Sequence, residues 1–280
     1  MGEALPETKT SLSAETRYWE SVGEEWDRTH PDALWRRHCD AVNLRLLARW
    51  LPAIPVTRLL KTDLFDEAVS GGLQALLQTR ARVVVGMDLS RVTARVARAR
   101  CPDIQAVCTD ARRLPFSDGA FDVIVSDSTL DHFHTEAELV GALRELQRVT
   151  RPGGVLLLTL DNPANPVIAL RNALPFRLLN RLGIVPYYVG ATAGPRRLRC
   201  LLEQTGWEIR QTGAIMHCLR VAGVMISRIV ERRTGRETHE RLLRWLMRFE
   251  SWEHLPTRFL TGHFVAVLAT PVRAATTRSP

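Results

Sequence analysis

Carboxylates that end short apolar runs are the residues of this chain best placed to do chemistry. The clearest is in Val83-Val84-Val85-Gly86-Met87-Asp88-Leu89-Ser90, where an apolar run stops on one acid and a small polar residue opens a helical stretch. In a parallel α/β sheet, an acid at the carboxyl end of a strand accepts hydrogen bonds from both hydroxyls of a nucleoside ribose. Asp88 therefore reads as a ribose ligand, or as a cap for the helix beginning near Ser90. One strand earlier, Asp63, Asp66 and Glu67 crowd the turn that follows another apolar run, and Gly71-Gly72 come after them.

That earlier turn decides which nucleoside fits. A dinucleotide site needs a glycine-rich turn so that backbone N–H groups can approach the pyrophosphate. No GxGxxG stands here. A carboxylate ~5 Å from a phosphate costs roughly 3 kcal/mol at an effective dielectric of about 20. Three acids suit a cationic ligand instead, unless they are simply solvated turn residues. S-adenosylmethionine has a sulfonium and an ammonium beside one carboxylate, and a ribose that calls for an acid such as Asp88. Lys61 complicates the argument: a lysine ending a core strand needs an ion pair, and Asp63 or Asp66 is the natural partner.

The elements that position these groups follow from the pattern. Residues 14–55 read as a helical, aromatic N-terminal lid with Trp19, Trp26, Trp35 and Trp50, broken at Pro31. Each tryptophan there can pack a helical layer or close over a pocket. Strands are expected at 57–65, 82–87, 104–107, 121–126, 155–160, 207–216 and 263–270. Helices are expected between them: one running to about Arg80, then 90–100, 136–150 with Thr135 as N-cap, and 195–205 ended by Gly206. Short apolar runs alternating with helical stretches predict βαβ units and a mostly parallel, doubly wound, seven-stranded sheet over residues 56–270. Residues 161–190, with four prolines, and 217–260, with helices at 220–232 and 239–252, read as cap insertions. The tails 1–13 and 271–280 read as disordered.

Composition narrows the partners. At 45% apolar and 24% charged residues the chain is an ordinary globular protein with a sizeable core. The net charge of +8 comes almost wholly from arginines, since only Lys9 and Lys61 are lysines. The arginines are scattered along helices, which argues against a nucleic-acid partner. Five cysteines have no CxxC pair and no metal spacing, so no metal is expected. The polar, acidic start shows no signal-peptide pattern and no apolar run spans a bilayer, so a cytoplasmic location is expected.

Several segments together resemble the class I S-adenosylmethionine-dependent methyltransferases, chiefly over residues 57–160. Gly86-Met87-Asp88-Leu89-Ser90 resembles the ribose-binding segment. Thr109-Asp110-Ala111, followed by Leu114-Pro115-Phe116, resembles the segment that meets the adenine. Phe121 to Phe133 resembles the fourth strand and the loop facing the methyl group, and Leu146 to Gly154 resembles the turn before the fifth strand. The resemblance implies a Rossmann-like fold and S-adenosylmethionine as cofactor, held by Asp63, Asp66, Gly71, Asp88, Leu89, Asp110, Ala111, Asp127 and Ser128. One departure stands out. Where the family has acid-x-Gly-x-Gly-x-Gly, this chain reads Lys61-Thr62-Asp63-Leu64-Phe65-Asp66-Glu67. Either the motif is rebuilt around its acids, or the chain is an altered or inactive member that acts as a binding or scaffold subunit.

Methyl transfer is an in-line displacement in which the protein chiefly holds the nucleophile and the methyl close and aligned. A base is needed only where the nucleophile must lose a proton. The resemblance points to His132 for that role, which competes with a structural loop histidine, and then to Asp127, Asp131 and His134. Trp19, Tyr187, Tyr188 and His217 are candidates to line the pocket for a small-molecule, hydrophobic biosynthetic acceptor. The apolar stripes of the 217–260 helices read as a cap over that pocket. Their alternative is a surface for a lipid-like substrate, for peripheral membrane contact, or for a second subunit in a homodimer.

Overall fold

Alternation along the strands builds the molecule. In the computed structural model, which describes residues 12–29, 32–183, 185 and 187–272, neighbouring strand residues feed two separate apolar clusters. Leu59, Val84, Val123, Val125 and Leu157 join one; Leu60, Val85, Ile124, Leu156 and Leu158 join the other. A strand with both faces covered must be apolar throughout.

The chain opens with two helices, α1 (Leu12–Thr29) and α2 (Ala33–Trp50), flanking the predicted break at Pro31, which lies outside the described residues. The first half of the sheet then alternates β1 (Val56–Lys61), α3 (Phe65–Val69), α4 (Gln74–Arg80), β2 (Ala81–Asp88), α5 (Arg91–Arg100) and β3 (Ile104–Cys108). It continues through β4 (Phe121–Asp127), a 3-10 turn at Leu130–His132, α6 (Glu136–Val149) and β5 (Thr150–Asp161). Short helices α7 (Pro166–Ala173) and α8 (Phe176–Arg181) lead to α9 (Pro195–Gln204) and β6 (Trp207–Ile215). Helices α10 (Arg220–Arg233) and α11 (Arg236–Met247), a 3-10 segment at Arg248–His254, α12 (Arg258–Thr261) and β7 (Phe264–Pro271) complete it.

The seven strands lie in the order β3-β2-β1-β4-β5-β7-β6. All pairs are parallel except those of β7, which runs antiparallel to both β5 and β6. This is the expected Rossmann-like, mostly parallel seven-stranded sheet. The first cluster packs β-strand residues under α2, α4, α5 and α11, and the second packs them under α6 and α9. The expected tail at 1–13 lies outside the described residues apart from the start of α1; that at 271–280 does so beyond Val272.

Three boundaries differ from expectation, each for a local reason. β1 stops at Lys61 rather than running to Phe65, because Asp63 Oδ1 accepts from the Phe65 N–H at 3.2 Å and turns the chain into α3. The Arg151-Pro-Gly-Gly154 segment belongs to β5 and forms an irregularity in its pairing with β4, with Gly153 at φ 81°. The last long helix starts at Arg236 and tightens into a 3-10 turn after Met247, not at Trp252. Thr135 caps α6 in a reciprocal capping box with Glu138, as its position predicts.

Candidate active site

The carboxyl ends of β1, β2, β3 and β4 open onto one cleft, roofed by α1 and α2, with about 1190 Å³ of free space including its mouth. Parallel strands place their following loops on the same edge, so residues far apart in sequence meet there. Asp88, Leu89 and Ser90 reach the cleft from β2, Thr109, Asp110 and Ala111 from β3, and Asp127, Ser128, Thr129 and His132 from β4.

Asp88 braces the turn before α5 and faces the cleft. Its Oδ1 accepts from the Ser90 N–H at 2.8 Å and its Oδ2 from the Leu64 N–H at 3.1 Å. The cap of α5 itself is Ser90, whose Oγ accepts from the Thr93 N–H. Each Asp88 oxygen retains a second acceptor position. Burial pushes its pKa up to about 7.

The acidic turn is organised by Lys61, which is fully buried beneath it. Its Nζ lies 3.1 Å from Asp63 Oδ1, 3.0 Å from Glu67 Oε2 and 3.9 Å from Asp66 Oδ2. Burial alone would lower the Lys61 pKa, but the charges of Asp63, Glu67 and Asp66 outweigh it and hold the ammonium protonated. Asp66 also contacts the guanidinium of Arg36 on α2, which lies over the rings of Trp26 and Phe65. Two cations thus meet three carboxyl groups, and burial pushes the pKa of the innermost one, Glu67, up. Asp63, Phe65 and Asp66 line the cleft. Gly71 does not: it sits between α3 and α4 with nothing within 4 Å of where a Cβ would stand. Gly72, at φ +54°, is the glycine the turn requires, since a Cβ there would strike the Glu67 carboxylate at 2.7 Å.

Beside the loops after β2 and β3, Arg112 ties the walls together. Its guanidinium forks onto Asp110 and reaches Glu15 of α1 and Glu138 of α6, each at 2.7 Å. Asp127 is held by the Thr159 hydroxyl at 2.6 Å and by the Asn43 amide. Burial, with the charge of Asp66, pushes its pKa up to about 7. Each of its oxygens accepts one hydrogen bond and keeps a second acceptor position at the cleft floor. Ser128 sits at φ 48°, a left-handed conformation rare outside glycine, and its hydroxyl donates to buried Asp131 at 2.9 Å.

His132 forms the aromatic wall with Trp19 and Tyr187; its ring centroid is 4.7 Å from the Trp19 ring and 5.5 Å from Tyr187. The Nδ1 lies 2.8 Å from the Tyr188 carbonyl oxygen, which assigns the proton to Nδ1 and leaves a lone pair on Nε2. Asp131 Oδ1 stands 3.9 Å from that Nε2.

Two candidate pocket residues lie elsewhere. The Tyr188 ring packs on His134 and Phe176, and only its carbonyl serves the site, through His132. His217 is buried, bonded to Thr261 Oγ1 at 2.8 Å and Ala214 O at 3.1 Å, and does not line the cleft. His134, packed on Tyr188, and Asp131, whose Oδ2 accepts from the Ser128 hydroxyl and the Asp161 N–H, are likewise structural. Sequence reasoning missed Arg36, Cys39, Asn43 and Arg220. They come from helices distant in sequence from the strands, and one arginine among so many has no local signature.

Comparison with known proteins agrees with this architecture. A methyltransferase-domain family model matches residues 68–158, beginning just past the rebuilt turn. A demethylmenaquinone methyltransferase of Thermus thermophilus is 30% identical over 161 residues, covering 50% of this chain and 71% of that protein. The chain belongs to the class I S-adenosylmethionine-dependent methyltransferase family. Another family member, the demethylmenaquinone methyltransferase of Beutenbergia cavernae, is 33% identical over 50% of this chain and 55% of its own length. A malonyl-[acyl-carrier protein] O-methyltransferase of Herminiimonas arsenicoxydans is 34% identical over 46% and 50%. The match therefore spans about half the length of these two relatives. The fold is shared with geranyl diphosphate methyltransferase, at a TM-score of 0.53, 14% identity, and 83% and 78% coverage. It is shared as well with the cyclase SpnF, at a TM-score of 0.54, 18% identity, and 91% and 96% coverage. Among the described residues no helix is long and apolar enough to cross a membrane, and no cluster of side chains suits a metal ion.

Proposed function

We propose that this family member transfers a methyl group to a small organic acceptor, with S-adenosylmethionine as cofactor. The observation that carries the reading is the convergence of Asp88, Asp110 and His132, from three separate loops, on one cleft. The residues suit the cofactor. Asp88 has a free acceptor position on each oxygen for the ribose hydroxyls, and Asp63 and Asp66 line the cleft from the neighbouring turn. When bound, S-adenosylmethionine supplies a methyl group on a cationic sulfur. The remaining work falls to the chain's own groups. Trp19, Tyr187 and Phe65 offer flat faces to an apolar or aromatic acceptor and exclude water from it. His132 accepts the nucleophile's proton at Nε2. Helix α1 acts as the lid.

A second reading is favoured by the turn itself. Asp63, Phe65 and Glu67 stand where the family has glycines, and Phe65 projects into the cleft wall. A member rebuilt in this way binds the adenosyl ligand without transferring its methyl, as a binding or scaffold subunit. Calorimetric titration with S-adenosylhomocysteine tests both. Micromolar binding is expected, and absence of binding at high micromolar concentration would sink both readings. Once a bound acceptor is known, turnover of S-adenosylmethionine separates the first from the second.

A further inference from the structure

Charge is divided across the cleft. The nucleoside end, at β2 and β3, carries Asp88 and Asp110, and the turn after β1 carries Asp63 and Asp66. The opposite end is formed where β6 and β7 meet, and Met216, Arg220 and Phe264 line it. Strands lie ~4.8 Å apart in a sheet, so β2 and β7, four places apart in the strand order, are separated by roughly 19 Å. Arg220, the first residue of α10, therefore stands on the side of the cleft away from the nucleoside loops.

Two arginines line the cleft, and they differ. Arg36 has its charge matched by Asp66. Arg220 forms no ion pair with a carboxylate among the described residues. Its NH1 lies 3.2 Å from His263 Nε2, and its NH2 is 3.5 Å from the Tyr187 hydroxyl, at the outer limit of a hydrogen bond. The same His263 Nε2 is 3.2 Å from Asp161 Oδ1. One ring nitrogen cannot both donate to Asp161 and accept from Arg220. Asp161 itself is paired with Arg171 at 2.5 Å and reaches Arg220 only through the His263 ring. Among the described residues Arg220 thus commits at most two of its five N–H donors, both to neutral groups. A cation held in a low-dielectric wall without a carboxylate is costly unless a ligand completes it. A guanidinium presents paired donors that match an oxyanion.

We propose that Arg220 receives an oxyanion of the acceptor, a carboxylate in the simplest case, while the Trp19–His132–Tyr187 wall takes its apolar or aromatic body. The proposal rests on the methyltransferase reading for the word acceptor, and its test does not depend on transfer. The probe is 2-naphthoate, with uncharged 2-naphthamide as its near-isostere, titrated into the protein with and without saturating S-adenosylhomocysteine. Wild-type protein is expected to bind naphthoate at least about tenfold more tightly than naphthamide. In Arg220→Met that preference should fall below about twofold, with affinity for S-adenosylhomocysteine unchanged, whereas Arg220→Lys should keep part of it. If Arg220→Met does not hold a native unfolding transition, Arg220→Gln replaces it. Equal binding of the two probes by wild type would overturn the proposal, as would a preference that survives in the uncharged variant. A parallel loss of S-adenosylhomocysteine affinity would overturn it too, because the oxyanion would then be the cofactor's own carboxylate. Failure of S-adenosylhomocysteine to bind at all, with the naphthoate preference intact, would count against the methyltransferase reading and leave the anion site standing.

Discussion

At the scale of single residues, the cleft trades stability for ligand affinity. Burial raises the Asp88 pKa to about 7, against about 3.9 for an unperturbed aspartate. The folded state therefore binds more protons than the unfolded chain between those values, and the contribution of Asp88 to stability declines as pH rises from about 4 to about 7. A ribose needs the ionised form, which has acceptor positions left over, so affinity moves the other way. Binding of S-adenosylhomocysteine should tighten with pH by up to about tenfold per unit below pH 7 and level off above it. Asp88→Asn should bind at least about tenfold more weakly, with a nearly flat profile. Calorimetry at several pH values checks this, and a flat wild-type profile would remove Asp88 from the ribose site.

At the scale of elements, α1 is held by its charges as well as its apolar face. Glu15 of α1 and Glu138 of α6 both reach Arg112, which is forked onto Asp110 in the loop after β3. Gly23 lets α1 approach α5 closely: a Cβ there would stand 2.8 Å from Thr93 Oγ1. Arg112→Met should leave three acids facing one another and free the N-terminal end of α1. Amide exchange across Leu12–Thr29 is expected to accelerate by about tenfold or more, while α6 keeps its protection through the Thr135–Glu138 capping box. Unchanged protection in α1 would show that the helix is held by Gly23 and the aromatic contacts alone. Much at this scale is legible in the chain itself. The Thr135 cap, the Ser90-to-α5 start and the Gly206 stop follow from local hydrogen bonding, which needs no knowledge of the rest of the molecule. The end of β1 does not, because a carboxylate folding back on the Phe65 N–H competed with strand propensity.

At the scale of the whole molecule, Lys61 links the site to global stability. It ends the interior strand β1 and its side chain is wholly buried under the cleft, among Asp63, Asp66 and Glu67. Lys61→Met leaves Asp63 and Glu67 uncompensated, Asp66 keeping Arg36, and should destabilise the native state by about 3–5 kcal/mol. The double variant Lys61→Met with Glu67→Gln should recover part of that, since the two groups are in direct contact. Urea unfolding midpoints at constant slope measure both effects. A cost within about 0.5 kcal/mol for the single variant would mean that the cluster is solvated and that the rebuilt turn has no structural centre.

The sequence by itself determined the parts that depend on neighbours along the chain. Short apolar runs separated by helical stretches specify a mostly parallel sheet, and the acids that follow two of those runs, Asp88 and Asp110, are carried to its carboxyl edge. The need of Lys61 for carboxylate partners is likewise a local rule of charge burial. Only the tertiary structure decided the contents of the cleft's far side. Arg36 and Asn43 enter from α2, and Arg220 from the start of α10. The same packing draws His217 into contacts with Thr261 and Ala214 and turns the Tyr188 ring toward Phe176. The physical reason is that these positions are set by which faces of separate helices pack against the sheet. Periodicity along one segment identifies its buried face, but not the side chain from elsewhere that will meet it.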